Sequence, residues 1–307
     1  MKLRRSLLMT PGHDPRLAAK AASSEADMVW LELEDGVPLA EKAAARSQIV
    51  RSFGELDWGT KVRAVRLNAL DSGMAEDDVR AVISARPDAV VLSKTSGPDE
   101  VVTIARVLDD LGADGADVRI WAMVETVRAV VFIEQIATAH PRLEALILGA
   151  GGLFGDLGVT NVAPGGVSSG ATFGTGIALE STLYARSRVV FAARAFGLLP
   201  IEGSTGSSGG QSSAADDIYL SALYSFRMGY EGKLCSRPQV VPDVHRAWSP
   251  PAEDIEWAKK VRSAFAAPGG FQNIDGHVTL GGPAIERASL ILERAAALGL
   301  VQEVLAQ

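Results

Sequence analysis

Short apolar runs rich in β-branched residues recur along this 307-residue chain at 6–9, 28–33, 62–67, 89–92, 118–124, 143–148, 198–201 and 232–235. Between most of them lie longer stretches with helical periodicity, at 39–56, 74–85, 99–111, 127–140, 177–196 and 216–228. A strand followed by a helix, repeated this often, leaves few ways to bury every strand. Parallel strands with helical crossovers are the economical solution, and eight units close a sheet on itself. Several runs are apolar throughout, as expected when both faces are covered. The expected fold is therefore an α/β (β/α)8 TIM barrel. A doubly wound open sheet is the rival, but it leaves less room for eight consecutive units. The barrel is expected over 1–249. A C-terminal helical extension follows over 250–307, packing on the barrel or on a neighbouring subunit, and reads as helix 253–266, loop 271–282 and helix 284–298.

Polar residues gather just after these runs: Glu34 and Asp35, Arg66 and Asn68, Lys94, and Glu125. In a barrel those strand ends share one rim, where a pocket is built. LELED at 31–35 brings three acids together. Such a cluster needs a cation, a basic side chain or protons to relieve its repulsion, and reads equally as a site or as a salt-bridge network. A buried arginine can hold a carboxylate bidentately, and a strand-end glutamate can bind Mg2+. Taken singly, Arg66 and Glu125 each read equally as half of an internal ion pair. Two Gly/Ser-rich segments, 163–176 and 203–213, follow the sixth and seventh runs and are expected as loops over the pocket mouth.

Several functions are excluded or disfavoured. The net charge of −7 argues against a nucleic-acid partner. No apolar run is long enough to span a bilayer, and only a few apolar residues precede Pro11, too few for a signal peptide. A cytoplasmic location is expected. The lone Cys235 permits no internal disulfide, and His13, His140, His245 and His277 lack metal-ligand spacing. GAGG at 149–152 has Phe154 where a dinucleotide fingerprint needs its third glycine, GSTGSSGG lacks the P-loop lysine, and no G-x-S-x-G is present.

RSLLMTPG at 5–12, LELEDGVPLAEKAAAR at 31–46, VRLN at 65–68, VET at 124–126, LGAGGLFGDLG at 148–158, YARSRVVFAARAFG at 184–197 and GKLC at 232–235 resemble, in order, the motifs of the citrate lyase β-subunit-like or HpcH/HpaI aldolase family. The resemblance implies a (β/α)8 barrel, a homo-oligomer (trimer or hexamer), and carbon–carbon lyase chemistry on a small oxo or hydroxy acid or its CoA thioester, with Mg2+ or Mn2+ as Lewis acid. It implies that Arg66 orients substrate, that Glu125 is a metal ligand, and that Glu34 and Asp35 are catalytic acids near the metal's water shell. Backbone amides of Ala150, Gly151, Gly152 and Leu153 would receive a substrate carboxylate, with Lys94 and Arg237 also binding substrate.

The chain departs from the family pattern at several of these positions. GAEDL becomes GAGGL, so Gly152 stands where the second metal-binding carboxylate is expected; GKLCIHP becomes GKLCSRP, placing Arg237 at the histidine; and DGKMVDAP becomes DGHVTLGGP at 275–283. The resemblance thus implies a weakened metal site. A metal-independent enzyme on the same barrel, or a non-catalytic ligand-binding or regulatory homologue, are the alternative readings.

Overall fold

The computed structural model describes residues 3–158, 177–203, 215–266 and 271–301. They form two compact units, 4–245 and a second made of the extreme N-terminus with 246–307.

In the first unit eight parallel strands close into a barrel in sequence order: β1 (Ser6–Pro11), β2 (Met28–Glu32), β3 (Val62–Arg66), β4 (Ala89–Leu92), β5 (Arg119–Val124), β6 (Leu143–Leu148), β7 (Leu199–Glu202) and β8 (Gly232–Cys235). Closure is made by β1 pairing β8, with Leu7 opposite Leu234. The crossover helices are α1 (Pro15–Ala22), α2 (Lys42–Glu55), α3 (Ala75–Val82), α4 (Pro98–Asp110), α5 (Val127–Val131), α6 (Ile133–Ala137), α7 (Ala150–Asp156), α8 (Ile177–Ala195), α9 (Ala215–Met228) and α10 (Val241–Trp248), the last running into the second unit.

The barrel interior is a packed core of inward-facing side chains, among them Leu7, Trp30, Ala64, Val91, Trp121, Ala145, Ile147 and Ile201. Large and small residues sit side by side. Trp30 pairs with Ala64 and Trp121 with Ala145 across neighbouring strands, so each indole fills the space its partner leaves. The stretch 127–140, expected as one helix, is two five-residue helices meeting at Phe132. Val127, Val130 and Val131 make that run a poor helix former. The Gly/Ser-rich segment 163–176 lies outside the described residues, as does 203–213 apart from Gly203.

In the second unit α11 (Ala252–Ala264) and α12 (Gly281–Ala297) pack through Ile255, Ala258, Val261, Ala288 and Leu292. The loop expected over 271–282 is instead an antiparallel hairpin, β9 (Phe271–Ile274) and β10 (His277–Leu280). Asp275 and Gly276 both take positive φ, 52° and 83°. That is the two-residue turn which Asp-Gly favours. No described helix is long and apolar enough to cross a membrane.

Candidate functional site

Arg66 is the last residue of β3 and lies opposite Glu32, the last residue of β2. The inward alternation that buries Trp30 and Ala64 below them turns both side chains toward the barrel axis. The Arg66 guanidinium, only 5% exposed, sits over the Trp30 ring at 5.7 Å. One terminal nitrogen donates to Glu32 Oε1 at 2.8 Å; the other reaches Glu34 Oε2 at 3.0 Å, Glu125 Oε1 at 3.2 Å and Asp35 Oδ2 at 3.5 Å. Its Nε is buried and has no acceptor among the described residues. Burial alone would lower this arginine's pKa, but the four carboxylates outweigh it and raise it further. The arginine is charged throughout the accessible pH range.

Lys94 joins from the loop after β4. Its φ of 51° is left-handed, a conformation that costs a non-glycine residue about 1–3 kcal/mol. That backbone turns its amide onto Glu125 Oε1 at 2.7 Å. Its ammonium meets Glu34 Oε1 at 2.5 Å and Asp35 Oδ1 at 3.5 Å, and the hydrogen bond it donates to Glu34 raises its pKa.

Glu34 and Asp35 titrate as a pair pushed apart. Burial, then the hydrogen bond with Asp35, raises Glu34. At Asp35 burial acts in the same upward direction, but Glu34, Arg66 and Lys94 together outweigh it and lower its pKa. Of the two, Glu34 is the one that takes up a proton first as pH falls. Glu32, Glu34 and Asp35 also bring three ligand oxygens within 4.8 Å of one another.

Glu125 follows β5 directly and is 5% exposed. Its Oε1 is committed to Arg66 and Lys94, while Oε2 faces the backbone after β6. A Cβ at Gly149 would stand 2.6 Å from Oε2, and one at Gly152 3.1 Å. Gly149 is therefore required for close approach. Of the four residues expected to offer amides, Ala150, Gly151 and Gly152 open α7, where N–H groups lack intrahelical acceptors. Leu153 spends its amide on Gly149 O at 3.1 Å. Arg237 lies two residues past β8, half-buried, on the C-terminal rim that these other strand ends share.

The rim thus unites Arg66, Glu34, Asp35, Lys94 and Glu125 through direct contacts. Sequence reasoning missed the part played by Glu32, whose Oε1 also accepts from Gly36 N at 3.1 Å. The alternation of Glu32 with Glu34 on a strand pointing Trp30 inward was the available signal.

A family model described as HpcH/HpaI aldolase/citrate lyase matches residues 5–238. The chain belongs to this family. Among its relatives is an L-malyl-CoA/β-methylmalyl-CoA lyase of Rhodobacter capsulatus, 28% identical over 273 residues, covering 86% of this chain and 85% of the relative. The citrate lyase subunit beta of Haemophilus influenzae is 26% identical and covers 96% of this chain and 98% of its own. A crystal structure of CitE from Mycobacterium tuberculosis, in complex with magnesium, acetoacetate and coenzyme A, superposes with a TM-score of 0.77 at 27% identity, covering 96% of this chain and 98% of that one.

The magnesium of that neighbour raises the question of whether this rim fits a divalent cation. Its donors are carboxylate oxygens, the hard ligands such a cation takes. At the sixth strand, however, Gly151 and Gly152 carry no side-chain oxygen, and Glu125 has one oxygen already engaged by Arg66 and Lys94. The residues fit a cation held by Glu125 Oε2 together with water and substrate oxygens. They do not form a closed protein cage.

Proposed function

We propose that this protein is a carbon–carbon lyase acting on a small oxo or hydroxy acid or its CoA thioester, with a divalent cation that binds together with substrate. The observation that supports this reading best is the split acid pair: the surroundings raise the pKa of Glu34 and lower that of Asp35, side by side beneath Lys94 and Arg66. Carboxyls whose environments push their pKa values apart divide acid and base work between them. Cleavage of a β-hydroxy acyl bond needs a base to take the hydroxyl proton and an acid to return a proton to the departing carbon. Asp35 is the base and Glu34 the acid. Arg66 orients substrate. The first-turn amides of Ala150, Gly151 and Gly152, with Lys94 and Arg237, take a substrate carboxylate. A bound cation would supply Lewis-acid stabilisation of the negative oxygen as the bond breaks.

Charge supports cation co-binding. Four carboxylates (Glu32, Glu34, Asp35 and Glu125) meet Arg66 and Lys94, which leaves these contacting groups net negative by two. A substrate carboxylate entering alone would be repelled. A homo-oligomer, trimer or hexamer, and a cytoplasmic location belong to the same reading; sedimentation measures the first.

The test is incubation with malyl-CoA and with citryl-CoA, with Mg2+ or with EDTA, following acetyl-CoA and free CoA separately. Acetyl-CoA release that EDTA abolishes supports the proposal. Free CoA without acetyl-CoA would mean thioester hydrolysis, the activity named for a relative in Cereibacter sphaeroides, a (3S)-malyl-CoA thioesterase 29% identical over 261 residues. EDTA-resistant cleavage would favour the metal-independent alternative, and binding without turnover the non-catalytic one.

A further inference from the structure

Lys42 opens α2, outside the contacts that define the rim. Its ammonium has three protons, and the structure gives it three acceptors: Leu33 O at 2.7 Å, Glu34 O at 2.9 Å and Asn68 Oδ1 at 2.5 Å. Two are backbone carbonyls of the turn that carries the acid pair, and none is a carboxylate. A full positive charge is spent on holding backbone.

The third acceptor is itself fixed. Asn68 gives both its backbone N–H (2.8 Å) and its side-chain Nδ2 (2.7 Å) to Asp78 Oδ2, so its Oδ1 must face Lys42. Asp78, on α3, is fully buried, and its other oxygen takes Arg46 Nε at 2.7 Å. Arg46 stands four residues after Lys42 on α2, on the same helix face. The relay Arg46–Asp78–Asn68–Lys42 therefore ties the end of β2 to the end of β3, two residues past Arg66. The tied turn has its own bonds: Leu33 N to Arg66 O at 2.9 Å, Asp35 N to Glu34 Oε2 at 2.8 Å, Gly36 N to Glu32 Oε1 at 3.1 Å and Val37 N to Glu34 O at 3.2 Å.

We propose that Lys42 is a positioning residue: locked by Asn68 and Asp78, its ammonium fixes the turn that sets Glu34 and Asp35 against Arg66 and Lys94. This rests on reading the rim as the catalytic site, so one readout must be independent of turnover.

The experiment compares wild type with Lys42→Met, which keeps the aliphatic stem, and with Lys42→Cys before and after alkylation by 2-bromoethylamine. Alkylation forms a C–S bond, expels bromide and restores an ammonium at nearly the original reach. Cys235, the other cysteine, is buried and shielded from the reagent. Hydrogen exchange across 33–37 should accelerate at least about tenfold in Lys42→Met, because the carbonyl grip is gone, with no change across β5. On the substrate that wild type turns over, kcat should fall about 10–100-fold with KM little altered, the signature of misplacement and not of lost binding. Aminoethylation should restore both. Lys42→Arg should not, since no single nitrogen of a planar guanidinium can send three N–H groups to three acceptors. Unchanged exchange across 33–37 overturns the proposal. So does faster exchange throughout the barrel, which would make Lys42 a general stabiliser, or a failure of aminoethylation to slow the exchange. If wild type cleaves nothing, the functional reading fails alone and the exchange data still decide the positioning role.

Discussion

Replacing Arg66 by methionine keeps an apolar stem over Trp30 and removes the guanidinium that meets four carboxylates. Glu32 and Glu125, 2% and 5% exposed, lose their buried cation. Each retains one backbone donor, Gly36 N and Lys94 N respectively. Breaking a buried pair by removing one partner costs about 3–5 kcal/mol. For a barrel of this size each kcal/mol is about 2–4 °C of Tm, so the expected loss is roughly 6–20 °C. The loss has a sign in pH. Glu34, already raised by burial, loses the lowering influence of Arg66, so its folded-state pKa moves further above the unfolded value of about 4.3. The unfolded state then binds fewer protons, and stability falls as pH rises through that window. Thermal unfolding by circular dichroism should show a small gap between variant and wild type near about pH 5 and a larger one near about pH 8. A gap independent of pH, or below about 2 °C throughout, would refute the view that Arg66 is the cation on which these carboxylates depend.

Gly152→Asp returns a carboxylate beside Glu125, and Mn2+ binding without substrate should tighten at least about tenfold; titration by electron paramagnetic resonance checks it. Gly149→Ala drives a Cβ to 2.5 Å from Glu125 Cβ, which should cost about 1–3 kcal/mol in urea denaturation and depress turnover. The acid pair requires kcat/KM to rise as Asp35 ionises, from a lowered pKa, and to fall as Glu34 loses its proton, from a raised one. Glu34→Gln should remove the alkaline limb. In the second unit, Gly276→Val at a φ of 83° should destabilise the hairpin by about 1–2 kcal/mol, visible as faster hydrogen exchange over 271–280.

The strands were legible because burial on both faces writes itself as continuous apolar runs. The bounds of β4, β6 and β8 match the expected runs, and the other strands differ by one or two residues at their ends. The hairpin over 271–280 was not legible, since four-residue strands give too little alternation and Asp275–Gly276 was the only marker. At the site, strand-end position alone singled out Glu34, Asp35, Arg66, Lys94 and Glu125. Sequence could not decide whether Arg66 and Glu125 were a site or an ion pair, and the structure shows them paired with each other at 3.2 Å. Lys42 and Asp78 were invisible for a physical reason. Their roles depend on where α2 and α3 set them relative to two strand ends, and no local periodicity encodes that.

The central claim is a cation site completed by substrate. Its most direct test is a Mn2+ titration of the purified protein with and without oxaloacetate, repeated on Glu125→Ala. The account predicts saturable binding that requires oxaloacetate and disappears in the variant. Binding that Glu125→Ala leaves intact, or none under any of these conditions, would contradict it.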